Sequence, residues 1–560
     1  MGAGLGPIAG ETGGQTLLWQ FSGQAGSFLS HQAIASVGDA DGDGVPDLLV
    51  GSPFASPAGV PNAGQARLLS GASGAVIQTV NGTTYNGFLG ISVAGPGDLD
   101  GDAAPDCVAG SQSGFVQAFS GATGSSLWVA AGPGGLFGFS VARGGDVNGD
   151  AVPDVFVGAP GANPINFFLG QAAGAASVIS GSNGTTILTI AGSPPGDLLG
   201  WSVAGPGDLD GDGVPDLVAG ARQAPGGYPD SNSPFGPGAA KAFSCATGAL
   251  LWQANGTGWG SLFGTSVAAV GDIDADGVSE LLVGVPLGAG ALPGGPFGRA
   301  RALSGASGAF LFDLVGSPWG NRFGSSVAGS GDVDGDGIPD LLVGAPLSPS
   351  LIPQSGTATL FSGAGASPLY DLIGRDVDDA FGASVAGVGD LNGDGVGEVA
   401  IAAPGATATV EVFSPVGPIG LRWFGNGCSW LSSGAPVVPS IGAIGGLPTA
   451  GNGAFAIWVS GAQGAMAARL LTGASSSSWL GIPLPLDLGT FGLPGCFLYA
   501  SPDAIRVTGT GVGFFDYGTG SVPVPIPAAP ALVGVLVHFQ WSLPVPAPGR
   551  VTGGLSVRVL

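Results

Sequence analysis

Positive charge is scarce in this chain. Of 560 residues, 13 are lysine or arginine against 38 aspartate or glutamate, and Lys241 is the one lysine. A protein that holds nucleic acid needs a basic patch to meet the phosphates, so that class is excluded. Histidine is limited to His31 and His538. Hydrolytic metal centres usually draw on histidine ligands and keep an open coordination position. His31 precedes a strand start and His538 falls in an apolar strand, so both read as structural. The four cysteines, Cys107, Cys245, Cys428 and Cys496, are too few to staple a chain this long. No long segment has helical apolar periodicity. Glycine and proline interrupt the apolar runs, so no membrane span is expected. The glycine-rich stretches lack the strand–loop–helix setting of a phosphate cradle. No catalytic constellation remains, and the chain is expected not to be an enzyme.

What is abundant is glycine, with 111 residues, and proline, with 45. With 44% hydrophobic residues and a mean hydropathy of +0.44, that composition points to a packed all-β protein rather than a disordered one. One acidic nonapeptide recurs seven times, starting at Asp39, Asp98, Asp146, Asp208, Asp272, Asp332 and Asp390. The sixth copy is Asp332-Val333-Asp334-Gly335-Asp336-Gly337-Ile338-Pro339-Asp340. Carboxylates at positions 1, 3, 5 and 9, with the carbonyl of position 7, can converge on one hard cation. Glycines at positions 4 and 6 allow the tight turn.

The candidate calcium ligands are therefore Asp39, Asp41, Asp43 and Asp47 in the first loop, and Asp98, Asp100, Asp102 and Asp106 in the second. The third offers Asp146, Asn148, Asp150 and Asp154, and the fourth Asp208, Asp210, Asp212 and Asp216. Asp272, Asp274, Asp276 and Glu280 form the fifth set, and Asp332, Asp334, Asp336 and Asp340 the sixth. The seventh is Asp390, Asn392, Asp394 and Glu398. Asn148 and Asn392 keep an oxygen while losing a charge. Glu280 and Glu398 reach further than aspartate. Ala103 and Ala151 replace glycine at position 6, which predicts strained or weaker second and third loops. An EF-hand or dockerin loop would lead into a helix, whereas here a short apolar strand with a proline stop follows, as in Leu341–Pro346.

The loops are 59, 48, 62, 64, 60 and 58 residues apart, the spacing of a supersecondary repeat. Upstream of most stands an aromatic or aliphatic residue, then glycine, then Ser-Val-Ala. Examples are Phe137-Gly138, Leu199-Gly200, Phe263-Gly264, Phe323-Gly324 and Phe381-Gly382. Later in each unit a strand enters a tight turn and returns, as in Arg301–Phe312. Four short strands per unit predict a small antiparallel sheet. Repeated radially, such sheets close into a propeller that hides nearly every edge.

These motifs resemble the FG-GAP repeat, the propeller of integrin alpha subunits and of many bacterial surface proteins. The resemblance covers roughly residues 15 to 415 and implies a seven-bladed β-propeller that binds up to seven Ca2+ ions. The units are uneven: Ser30-His31 stands for Phe-Gly in the first, the second ends in Gly110-Ser111-Gln112, and the seventh in Ala402-Ala403-Pro404. Two segments compete for the fourth strand of the last blade, Leu17-Leu18-Trp19-Gln20 and Leu421-Arg422-Trp423-Phe424. The N-terminal one is preferred because it ties the ring's ends together. The expected domains are a propeller over 15–417 and a small antiparallel β-sandwich over 418–560.

The acidity is mostly metal chemistry on this reading, because 26 of the 38 acidic residues occupy ligand positions. Seven divalent ions would bring the formal charge from −25 to about −11. Extracellular calcium modules bind at roughly 0.1–1 mM. At about 1 mM calcium that is roughly 0.4–1.4 kcal/mol per site, or about 3–10 kcal/mol for seven. Such loops would stand empty and self-repelling in a low-calcium cytosol, so an extracellular or cell-surface setting is expected. Met1–Gly14 lacks the basic and apolar regions of a signal peptide, which suggests a mature form with an added methionine or a start that lies elsewhere.

Residues 418–560 lack the loop. Apolar segments at 455–459, 496–500, 532–541 and 555–559 read as strands. Phe424–Cys428 and Leu493–Cys496 resemble a C-terminal module of secreted proteins from planctomycete-type bacteria, a resemblance that implies no activity. An exported protein would pair Cys428 with Cys496, while Cys107 and Cys245 read as unpaired. The face opposite the acidic loops should carry the inserts Gly161–Gly174, Gln223–Gly238 and Leu287–Gly298. It should also carry Tyr85, Phe167, Phe168, Tyr228, Phe235, Trp259 and Trp319. Those aromatics either pack loops onto blades or meet a protein or glycan ligand. The leading expectation is adhesion or surface and matrix assembly. The rivals are a carbohydrate-binding or carbohydrate-degrading propeller, and a filament or surface-layer subunit that self-assembles through the C-terminal domain.

Overall fold

The computed structural model describes residues 16–23, 33–132, 134–162, 172–193, 196–223, 236–258, 260–288, 298–316, 321–348, 355–405 and 408–415, with backbone strands from 421 onward. Seven four-stranded antiparallel sheets form a closed ring, each blade meeting the next through its first strand. Blade 1 consists of Ile34–Gly38, Asp47–Ser52, Gln65–Leu69 and Val76–Asn81, in sequence order from the axis outwards. Blades 2 to 6 repeat that order. Blade 7 takes Ser384–Gly389, Glu398–Ala403 and Thr409–Ser414, and its fourth strand is the N-terminal Thr16–Ser22.

Burial follows position in the blade. Every residue of all seven second strands is buried, from Asp47–Ser52 to Glu398–Ala403. These strands lie mid-sheet between two neighbouring blades, so their sequences are near-continuous apolar runs such as DLLVGA. Fourth strands mix exposed and buried positions, as in Ser126–Ala131.

The repeated glycines mark where blades touch. Glycine four residues after loop position 9 faces the carbonyl of the Phe-Gly glycine in the next blade. A Cβ on Gly158 would lie 2.1 Å from the Gly200 oxygen, and one on Gly344 equally close to Gly382. The same carbonyls accept a hydrogen bond from the serine of Ser-Val-Ala, as in Ser140 Oγ to Gly200 at 3.0 Å and Ser326 Oγ to Gly382 at 2.8 Å. The seventh blade has Ala402 at the glycine position, and the residues due to face it, Ser30-His31, lie outside the described residues.

At that seam Trp19 does other work. Its Nε1 donates to the Gly71 carbonyl of blade 1 at 2.7 Å, and its ring joins Leu48, Val50, Val388 and Val410 in one core. Trp128 and Trp252 make the equivalent bond one blade on, to Gly181 and Gly305. The first strands line a central channel of about 610 Å³ walled mainly by valine, alanine and glycine.

Beyond the propeller, Leu421–Phe424 pairs with Arg550–Arg558 rather than with a blade. A five-stranded sheet and a four-stranded sheet are present, the latter built on Ser440–Ile444 and Ala456–Gln463. Leu17–Ser414, the propeller, forms one compact unit, and the strands from Leu421 onward belong to another. Among the described residues no helix is long and apolar enough to cross a membrane.

Candidate metal centres

Each acidic loop joins the first strand of its blade to the second, so all seven emerge on one face. The glycine before position 1 sits in a bulge with positive φ, as at Gly38 (+89°) and Gly145 (+70°). That bulge turns the chain out of the sheet and into the loop.

Inside the loop the backbone wraps around the first carboxylate. The position 6 N–H donates to its Oδ2 in all seven loops, from Gly213 to Asp208 at 2.7 Å through Gly277 to Asp272 at 3.0 Å. The position 7 N–H donates to the position 5 carboxylate at 2.8–2.9 Å in every loop. Ala103 and Ala151 keep this geometry only by entering the left-handed region, at φ 72° and 67°. Ala275, at position 4 of the fifth loop, does the same at φ 63°, a departure from the glycine pattern that the sequence reading overlooked.

Position 9 works differently. Asp47, Asp106, Asp154, Asp216, Glu280, Asp340 and Glu398 open the second strands and are fully buried. One oxygen of each accepts the N–H of loop position 2, as from Ala40 to Asp47 at 2.8 Å and from Val333 to Asp340 at 2.7 Å. In most blades the other accepts from the turn between strands three and four, Gly71 to Asp47 and Gly363 to Asp340 both at 3.0 Å. This carboxylate therefore ties the loop to its own blade.

Burial pushes all seven position 9 carboxyls up, Asp340 to about 6 and Glu398 to about 7, against the lowering effect of those N–H donors. Asp208, at position 1, goes the other way: desolvation is outweighed by backbone N–H donors from Gly213, Gly211, Asp212 and Asp210 together.

The carboxylates converge. Oxygens of Asp272, Asp274, Asp276 and Glu280 lie within 4.8 Å of one another. So do those of Asp39, Asp41 and Asp43, of Asp98, Asp100 and Asp106, of Asp208, Asp210 and Asp216, and of Asp332, Asp334 and Asp336. The four ion pairs seen among the described residues are Lys241–Asp197, Arg299–Asp313, Arg301–Asp313 and Arg375–Glu411, and none involves a loop. Hard oxygen donors at this density, with no ammonium or guanidinium paired to them, suit a hard divalent cation.

The opposite face is partly described. Tyr85 is 67% exposed there. Phe167, Phe168, Tyr228, Phe235, Trp259 and Trp319 lie outside the described residues, as do most of the three long inserts, His31, Cys428 and Cys496. Cys107 and Cys245 are buried and unpaired; burial raises both thiols, that of Cys245 to about 12. Sequence reasoning missed two contacts on this face. Lys241 and Asp197 form a buried pair at 2.6 Å. The Arg222 guanidinium lies 4.0 Å over the Trp201 ring, where desolvation and Arg322 hold it down to about 10.

The FG-GAP repeat family matches residues 32–69, 137–179, 199–233, 263–299, 323–361 and 381–414. Parts of integrin alpha chains are also similar. Integrin alpha-4 of Xenopus laevis is 35% identical over 163 residues, covering 28% of this chain and 15% of that one. Integrin alpha-V of Gallus gallus is 33% identical over 151 residues (26% and 14%), and integrin alpha-8 of Mus musculus 36% over 152 (26% and 14%). The chain therefore spans about 15% of the length of these relatives. Blade 2, with Ala103 in its loop and Gly110-Ser111-Gln112 at its strand end, lies outside those matches but shares the fold, so the chain holds a seven-bladed β-propeller, six of whose blades carry the FG-GAP repeat.

Proposed function

We propose that this protein is an extracellular or cell-surface, non-enzymatic propeller stabilised by up to seven calcium ions. It acts in adhesion or in surface and matrix assembly, through protein or glycan contacts on the face opposite the acidic loops. Convergence of three or four loop carboxylates within 4.8 Å, with no cationic side chain among them, carries the calcium assignment. The likeness to integrin alpha chains supports adhesion. Residues 418–560 are read as a β-sandwich through which copies could assemble.

All 28 ligand positions named above would serve. Each ion would supply the two positive charges that the loop lacks. The buried position 9 carboxylate then transmits occupancy to its blade through strand two and the strand three–four turn. Elemental analysis of the purified protein should give about five to seven calcium ions per chain. Excess chelator should lower the melting temperature by roughly 4–12 °C, since about 3–10 kcal/mol of linkage is removed from a propeller of about 400 residues. Protein without bound calcium, or a melt indifferent to chelator, overturns the assignment. A glycan array run in calcium then separates sugar from protein ligands.

A further inference from the structure

Blades 4 and 7 differ at one buried pair. In blade 4, Lys241 stands mid-way along the third strand, opposite Ala219 of the second. Its Nζ lies 2.6 Å from Asp197 Oδ2, with side-chain exposures of 8% and 0%. Asp197 is two residues ahead of Leu199-Gly200, and its carbonyl accepts the Gln223 N–H at 3.2 Å.

In blade 7 the equivalent third-strand residue is Glu411, opposite Ile401. The equivalent of Asp197 is Asp379, two residues ahead of Phe381-Gly382, and its carbonyl accepts the Gly405 N–H at 2.9 Å. A carboxylate has replaced the ammonium beside a carboxylate, and both residues are 3% exposed.

The local groups leave this pair short of positive charge. Asp379 Oδ1 and Glu411 Oε2 are buried without a hydrogen-bond partner. Arg375 approaches Glu411 at 3.7 Å from a position that is 39% exposed. Burial pushes the Glu411 carboxyl up; Arg375 opposes this, and the charges of Asp379 and Asp376 add to it. Three acids and one arginine leave a formal charge of −2 where blade 4 balances to zero. Buried like charges are costly unless a cation joins them, and buried oxygens without partners call for a ligand.

We propose a further cation site in blade 7, towards the face opposite the acidic loops, in which Glu411 and Asp379 hold one calcium ion where blade 4 has a lysine ammonium. Asp376 is the third acid of the site. Arg375 supplies part of the countercharge and gives way as the ion enters. The site is independent of the seven loops and of the adhesive role.

The test compares calcium content after dialysis against about 1 mM calcium for the wild type, D379N/E411Q and E411K. E411K rebuilds the lysine–aspartate pair of blade 4, so it offers a folded variant even if the double substitution is harmful. Both variants should hold one calcium fewer than the wild type, however many the loops contain. E411K should also melt higher than the wild type in chelator. Equal calcium content in all three proteins overturns the site and leaves Arg375 or a proton as the neutralising group. The loop assignment fails separately, if the wild type holds a single ion and the variants none.

Discussion

At the scale of single residues, the repeated glycines divide into two physical kinds. Gly158 is fixed by space, because its Cβ would meet the Gly200 carbonyl at 2.1 Å. Gly44 is fixed by conformation, having φ +89° and open surroundings. Gly158→Ala should therefore cost about 1–3 kcal/mol or more by overpacking a seam between blades. Gly44→Ala should cost only about 1 kcal/mol, as the alanines already at positions 103 and 151 suggest. Urea unfolding in calcium would rank them, and the reverse order would contradict this division. Trp19 allows a similar dissection. Trp19→Phe removes the bond to Gly71 and should cost about 1 kcal/mol. Trp19→Ala also opens a cavity at the seam and should cost about 3–5 kcal/mol.

At the scale of the element, the acidic loop couples metal to pH. The position 9 carboxyls titrate above the ordinary carboxylate range because they are buried. A carboxyl raised in the folded state costs nothing below its unfolded pKa near 4 and its full penalty above its folded pKa, near 6 for Asp340 and 7 for Glu398. Metal-free protein should thus lose stability as pH rises from about 4 to about 7. A bound cation favours the ionised form, so calcium-loaded protein should instead lose stability as pH falls. Melting temperatures at both ends of that range, with and without calcium, should cross; parallel curves would sink the coupling. Most of this element was legible in the sequence, because ligand spacing and turn glycines are local properties of nine residues. Its link to the strand three–four turn was not, since Gly71 is 24 residues from Asp47 and is met only through the fold. Asp379 and Glu411 were hidden for the same reason: 32 residues separate them, and only a comparison of blades at matched positions shows that an acid stands where blade 4 has a lysine.

At the scale of the whole molecule, blade count and ring closure followed from counting strands. Seven acidic loops set the number of blades, and a Leu-Leu-Trp-Gln strand ahead of the first unit offered the missing fourth strand of the last. The C-terminal residues were less legible: without a repeat, one strand cannot be checked against another. Deleting residues 1–22 should leave Thr409–Ser414 as an unpaired edge and remove Trp19 from the seam. Size-exclusion chromatography in calcium should then show association or aggregation, whereas a well-behaved monomer with an unchanged melt would mean that the N-terminal strand is dispensable. The same closure also sets a timetable for biosynthesis. Thr16–Ser22 leaves the ribosome ahead of every other strand of the propeller, yet its partner Thr409–Ser414 is nearly 400 residues behind it. At about 5–20 residues per second, that wait lasts tens of seconds. Throughout it this strand has no place to dock, so the ring can close only after the third strand of the last blade has been made, and any factor that guards the nascent propeller must shield Thr16–Ser22 for longer than any other strand of the ring.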